Sequence, residues 1–156
     1  MKSKTRFVSL AFGIVAATSI VGNMAPGFAQ QPAAAPAAAP APPVSWEVFS
    51  GYKRFSGNCQ VCHGTDALGG TFAPNLTESV SRLDHDAFLE TVVNGKTEGT
   101  LTMPAFGADP NVMCYIEDIY TYLKARSEGK LGRGRPDPQP KKPADVAAAE
   151  TACMGL

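Results

Sequence analysis

The chain has 156 residues, with 14 Lys and Arg against 14 Asp and Glu, two His and four Cys. That length allows one domain with extensions. The charge balance gives no support for nucleic-acid binding, which wants a basic face.

Lys2, Lys4 and Arg6 precede an apolar run from Phe7 to Val21, and small residues lead to Gly27-Phe28-Ala29. This order is that of a secretory signal peptide over residues 1–29, with cleavage after Ala29. The apolar run is short for a membrane span, so no stable membrane insertion is expected, although an uncleaved anchor is the alternative. Cleavage removes three basic residues and no acidic one, leaving 11 Lys and Arg against 14 Asp and Glu. Export to an oxidising compartment, the bacterial periplasm, also suits the cysteines. Residues 30–43 are almost wholly Ala and Pro. Recurrent proline forbids a helix and there is nothing large to bury, so this stretch reads as a semi-rigid linker.

A folded domain is predicted over residues 44–127. Ser45 is a good N-cap, and a helix should run from it to about Ser56, with Val48, Phe49, Tyr52 and Phe55 on its apolar side. Gly51 inside it costs about 1 kcal/mol relative to alanine, so a close helix crossing is the expected reason for it. Residues 64–76 show no period, and Pro74 breaks any helix there. Asp84 caps a helix from His85 to Asn94, with Phe88, Leu89, Val92 and Val93 inward and Gly95 as its stop. Residues 95–109 read as loop. Asp109 as cap and Pro110 at the first position open a last helix to about Ser127. Its Val112, Tyr115, Ile116, Ile119, Tyr122 and Leu123 make the clearest amphipathic stripe in the chain. Residues 128–156 form a tail rich in Gly and Pro, with a short Ala-rich stretch before Cys153.

The chemistry lies in Cys59-Gln60-Val61-Cys62-His63. Two thiols at i and i+3 share a helix face and can add to the two vinyl groups of one porphyrin. The next residue then presents an imidazole as axial ligand to the iron. The rivals are half a zinc site and a thiol redox pair. Zinc needs about four ligands, and no second CxxC exists. A redox pair should follow a strand, and nothing before Cys59 reads as one. Haem c is therefore the expected cofactor.

Three residues compete for the sixth iron position: His85, Met103 and Met113. His85 lies between Asp84 and Asp86 at a polar helix start, and Met113 lies beside an apolar stripe as core filler. Met103 follows His63 by 40 residues in a segment without packing periodicity, next to Pro104. Met103 is the favoured ligand. An open position remains the alternative.

Residues 45–127 resemble a class I cytochrome c. Gly51 and Phe55 stand before Cys59 as the glycine and aromatic of that family's N-terminal helix do, and Ile119 and Tyr122 match the C-terminal helix that crosses it. Ala73-Pro74-Asn75-Leu76 is similar to the loop whose proline carbonyl accepts the proton of the axial imidazole. Met103-Pro104-Ala105-Phe106-Gly107 is similar to the methionine-ligand loop. The resemblance implies an all-α fold of three to five helices around one covalently attached haem. Its cofactor-binding residues are Cys59, Cys62, His63, Pro74 and Met103, with His63 and Met103 on the metal. The run from Cys114 to Pro136 further resembles cytochromes cL of methanol oxidation. That implies a PQQ-dependent methanol or alcohol dehydrogenase as electron donor and a downstream cytochrome or oxidase as acceptor. The expected protein is a monomeric periplasmic single-electron carrier and not an enzyme. The alternatives are a generic donor to a terminal oxidase, or a small haem peroxidase or ligand sensor if the sixth position is open.

Two cysteines remain. In an oxidising compartment Cys114 and Cys153 are expected to pair and fold the tail back over the body, against the alternative of two free thiols. Arg133 and Arg135 read as solvated tail residues, or as a guide for an acidic partner.

Overall fold

The computed structural model describes residues 43–137 and 139–156. The signal peptide and nearly all of the linker lie outside the described residues. The described chain holds seven α-helices and a two-stranded hairpin.

Helix α1 (Trp46–Asn58) starts at Ser45, whose side chain accepts from the Val48 amide. It buries Trp46, Phe49, Gly51 and Phe55. A single-turn helix α2 (Gln60–His63) follows, with Cys59 at the junction. After a 3-10 turn at Thr65–Ala67, helix α3 (Leu76–Arg82) is capped by Asn75. Helix α4 (His85–Asn94) is capped by Asp84 and ends at Gly95. Strands β1 (Lys96–Glu98) and β2 (Leu101–Met103) pair antiparallel, with Lys96 opposite Met103 and Glu98 opposite Leu101. Helix α5 (Pro110–Met113) has Asp109 as cap and Pro110 in its first turn. Helices α6 (Ile116–Ser127) and α7 (Ala144–Met154) complete the order.

The all-α expectation holds, but three to five helices undercounts the described residues. The expected loop at 64–76 contains the 3-10 turn and leads directly into α3. The expected loop after Gly95 contains the hairpin. The last helix is broken at Cys114 and Tyr115, where Tyr115 leaves helical geometry with φ of −131°.

Helices α1 and α6 cross at the centre. A Cβ on Gly51 would run into the carbonyl oxygen of Asp118 and come within 2.8 Å of Tyr122 Cβ. The glycine is therefore required by a close approach of two backbones. Tyr122 is wholly buried there, its ring 5.5 Å from Phe55 and 5.8 Å from Tyr52. Phe55, Val80, Phe88, Val92, Val112, Ile119 and Leu123 complete the core, so each helix from α1 to α6 except α2 contributes.

Helix α7 buries no residue. It is held by a disulfide between Cys114 and Cys153, 39 residues apart. Glu150 adds polar contacts, accepting from Trp46 Nε1 at 3.3 Å, Tyr115 Oη at 3.3 Å and Lys142 Nζ at 2.7 Å. No helix among the described residues is long and apolar enough to cross a membrane.

Candidate haem site

Helix α1 delivers its last residues directly into the CxxCH turn, because the Cys59 amide still bonds the Phe55 carbonyl at 2.8 Å. The His63 amide bonds the Cys59 carbonyl at 3.0 Å, which puts the two cysteines and the histidine on one helical turn. Cys59 and Cys62 are both free thiols, Cys59 half-buried and Cys62 exposed. Burial, reinforced by the neighbouring Cys62, pushes the Cys59 thiol up to about 11. At neutral pH that thiol is protonated and a poor nucleophile, whereas Cys62 is open to reagents.

His63 is buried at 6 % exposure. Its Nδ1 lies 3.1 Å from the Pro74 carbonyl oxygen. A carbonyl only accepts, so Nδ1 carries the proton and Nε2 keeps its lone pair for a metal. The loop between these residues is folded tightly beneath the imidazole. The Gly69 amide donates to the His63 carbonyl at 2.7 Å, and Gly70 donates to Ala73 at 3.0 Å. Gly69 has φ of +80°, and a Cβ there would stand 2.6 Å from the Asn75 nitrogen. A side chain at Gly69 would push Pro74 away from the histidine.

Asp66 and Ala67, in the middle of this loop, are non-glycine residues with φ of +62° each. Such backbone costs roughly 1–2 kcal/mol per residue and persists only where surrounding contacts hold it. Here the contacts come from the far end of the chain. Arg126 Nε donates to the Asp66 carbonyl at 3.4 Å. The Asp66 carboxylate, 3 % exposed, accepts from Arg133 Nε at 3.0 Å and from the Gly134 amide at 2.7 Å. Arg126, itself 7 % exposed, also donates to the Leu131 carbonyl at 3.2 Å and to that of Gly132. Residues 131–134 are thereby strapped onto the loop. Arg133 and Arg135 are exposed, as expected of solvated tail residues, but each also has a partner: Asp66 for Arg133, and the Phe49 ring at 5.3 Å for Arg135. Sequence reasoning missed this cluster. The only hint was a lone Asp in a glycine-rich loop and an Arg-Gly-Arg run far downstream.

Met103 ends β2, half-buried and packed against the core. It is thus on a strand, where a loop was expected. Its following segment is fastened to α4, the Phe106 amide bonding Val92 at 2.9 Å and Gly107 bonding Val93 at 3.1 Å. Of the rival ligands, His85 Nε2 is engaged by Glu117 at 2.9 Å and its ring packs edge-on against Tyr120. Met113 packs against the core.

The zinc and redox-pair rivals find no support. Cys114 and Cys153 are bonded to each other, and no group of three or more His, Cys, Asp or Glu among the described residues could hold a metal ion. The CxxC turn follows a helix, not a strand. The donor set fits haem c: two unpaired thiols at one-turn spacing, and beside them an imidazole whose Nδ1 is taken by Pro74 and whose Nε2 is left for a metal.

Helical packing of this kind around a CxxCH turn is that of a c-type cytochrome. Residues 47–123 match the family described as cytochrome c oxidase, cbb3-type, subunit III. The chain is 49 % identical over 115 residues to cytochrome c-553I of Paracoccus denitrificans, covering 71 % of this chain and 51 % of that one. It is 37 % identical over 93 residues to cytochrome c-555 of Methylococcus capsulatus, covering 59 % of this chain and 72 % of the relative. The crystal structure of c-type cytochrome XoxG from Methylobacterium extorquens AM1 is similar, with a TM-score of 0.67 and 44 % identity over 70 % of this chain and 68 % of that chain. The chain therefore spans about half the length of the Paracoccus relative and about two thirds or more of the other two. It belongs to the class I c-type cytochromes. Its cofactor is accordingly haem c, and its relatives include cytochromes of methylotrophs.

Proposed function

We propose that this cytochrome works in the periplasm as a single-electron carrier between a PQQ-dependent methanol or alcohol dehydrogenase and a downstream cytochrome or oxidase. Haem c, when bound, supplies the one-electron iron couple. Cys59 and Cys62 would tether it, His63 Nε2 and Met103 Sδ would hold the iron, and Pro74 would fix the histidine tautomer. The observation that carries the His63 assignment is its hydrogen bond to Pro74 at 3.1 Å beside a one-turn CxxCH motif. A carbonyl accepting from an axial imidazole orients the ring and raises its basicity. Met103 sits at a strand end, and the segment after it is tied through Phe106 and Gly107 to α4. The choice of donor rests on likeness to methylotroph cytochromes and to XoxG, together with the Cys114–Pro136 run. Docking is expected to be transient, with less than about 1,200 Å² buried.

The test uses the mature protein and a Met103→Ala variant. The wild type should carry one covalent haem, show the sulfur-to-iron charge-transfer band, and bind carbon monoxide slowly when reduced. The variant should lose the band and bind carbon monoxide quickly. A band unchanged in the variant removes Met103 as ligand. Quinoprotein dehydrogenases supplied with their alcohols should reduce the wild type, and failure with all of them leaves the donor to be sought elsewhere.

A further inference from the structure

The buried carboxylate of Asp66 has no part in the proposed ligand set, yet the structure commits two arginines and a backbone amide to it. It sits three residues after His63, so its Cα lies within roughly 11 Å of the histidine's along the chain. The strained Asp66–Ala67 backbone and the Gly69–His63 bond belong to the same short loop. Whatever fixes Asp66 also fixes the loop that holds Pro74 against the imidazole. Asp66 is shielded from water, so its charge is screened far less than a surface charge would be.

We propose that Asp66 and Arg133 are positioning residues for the haem: the charge pair closes the 131–134 strap over the loop beneath His63, and its charges set part of the midpoint potential. The oxidised iron carries one more positive charge than the reduced iron. An anion nearby favours oxidation and lowers the potential, and a cation does the reverse. This inference rests on His63 as the iron ligand.

The experiment measures midpoint potentials of full-length holoprotein at low ionic strength for wild type, Asp66→Asn, Asp66→Glu and Arg133→Gln. Asp66→Asn should shift the potential upward. Arg133→Gln should shift it downward by less, because Arg133 is 75 % exposed and Asp66 only 3 %. Asp66→Glu should stay near wild type. Opposite signs for the two neutralisations cannot arise from lost stability alone. Equal potentials in all four proteins, or shifts of Asp66→Asn and Arg133→Gln in the same direction, would overturn the inference. If Asp66→Asn yields no folded holoprotein, Arg133→Gln decides: a downward shift supports the pair and an unmoved potential removes it. A preparation without covalent haem has no potential to measure and indicts the ligand assignment instead, so the two failures are distinct.

Discussion

At Asp66, burial and bonding pull the carboxyl in opposite directions. Burial pushes it up, but the Gly134 amide, the Arg133 bond and the Arg126 and Arg133 charges outweigh this and hold it below the usual carboxylate range. A group whose folded pKa is depressed adds stability above its unfolded value of about 3.9, and loses it as pH falls through the lower folded value. Wild-type unfolding free energy should therefore drop as pH falls below about 4, and the Asp66→Asn variant should lack that component in denaturant titrations. At neutral pH the same variant should cost about 3 kcal/mol, since Arg126 is left buried without its counter-charge. The CxxCH motif was legible because its spacing is set by local chemistry, whereas the Pro74 contact was legible only through the resemblance to class I cytochromes c. The Asp66 partners lie 60 and more residues away, and no local pattern announces a contact at that distance.

Among the elements, the α1–α6 crossing is where the sequence reading was strongest. Gly51 was read as a close approach from its helix cost alone, and the Asp118 carbonyl occupies the place of its missing Cβ. Gly51→Ala should destabilise the protein by about 3 kcal/mol through overpacking, seen as a lowered midpoint in guanidinium. Helices α1 and α4 were legible from cap and stripe together. Helix α3 was not, because its seven residues bury only Val80 and offer no periodicity. The hairpin is nearly all exposed, so it shows none of the alternation that marks a half-buried strand. The break at Tyr115 was also invisible: its stripe continues across it, and its ring lies under Arg54, 3.5 Å from the guanidinium carbon.

Across the whole molecule, α7 buries no residue and is held by the disulfide and the polar contacts of Glu150. The pairing of Cys114 with Cys153 was expected from the compartment, but an α7 that buries nothing has no hydrophobic signal to read. Replacing Cys153 with Ser should cost about 4 kcal/mol, the chain-entropy value for a loop of this size. Thermal unfolding of reduced and oxidised protein would measure it, and an unchanged Tm would refute it. The same bond has a consequence for biogenesis. On the proposed attachment, one cysteine pair must meet the porphyrin as thiols while the other is oxidised to a disulfide. Exchange between pairs proceeds through thiolates, so the half-buried, protonated Cys59 is the slower to be drawn into scrambled bridges. Ripening this polypeptide therefore demands an oxidant and a reductant acting side by side, and a host that supplies only one of them should yield either colourless or tail-loose product.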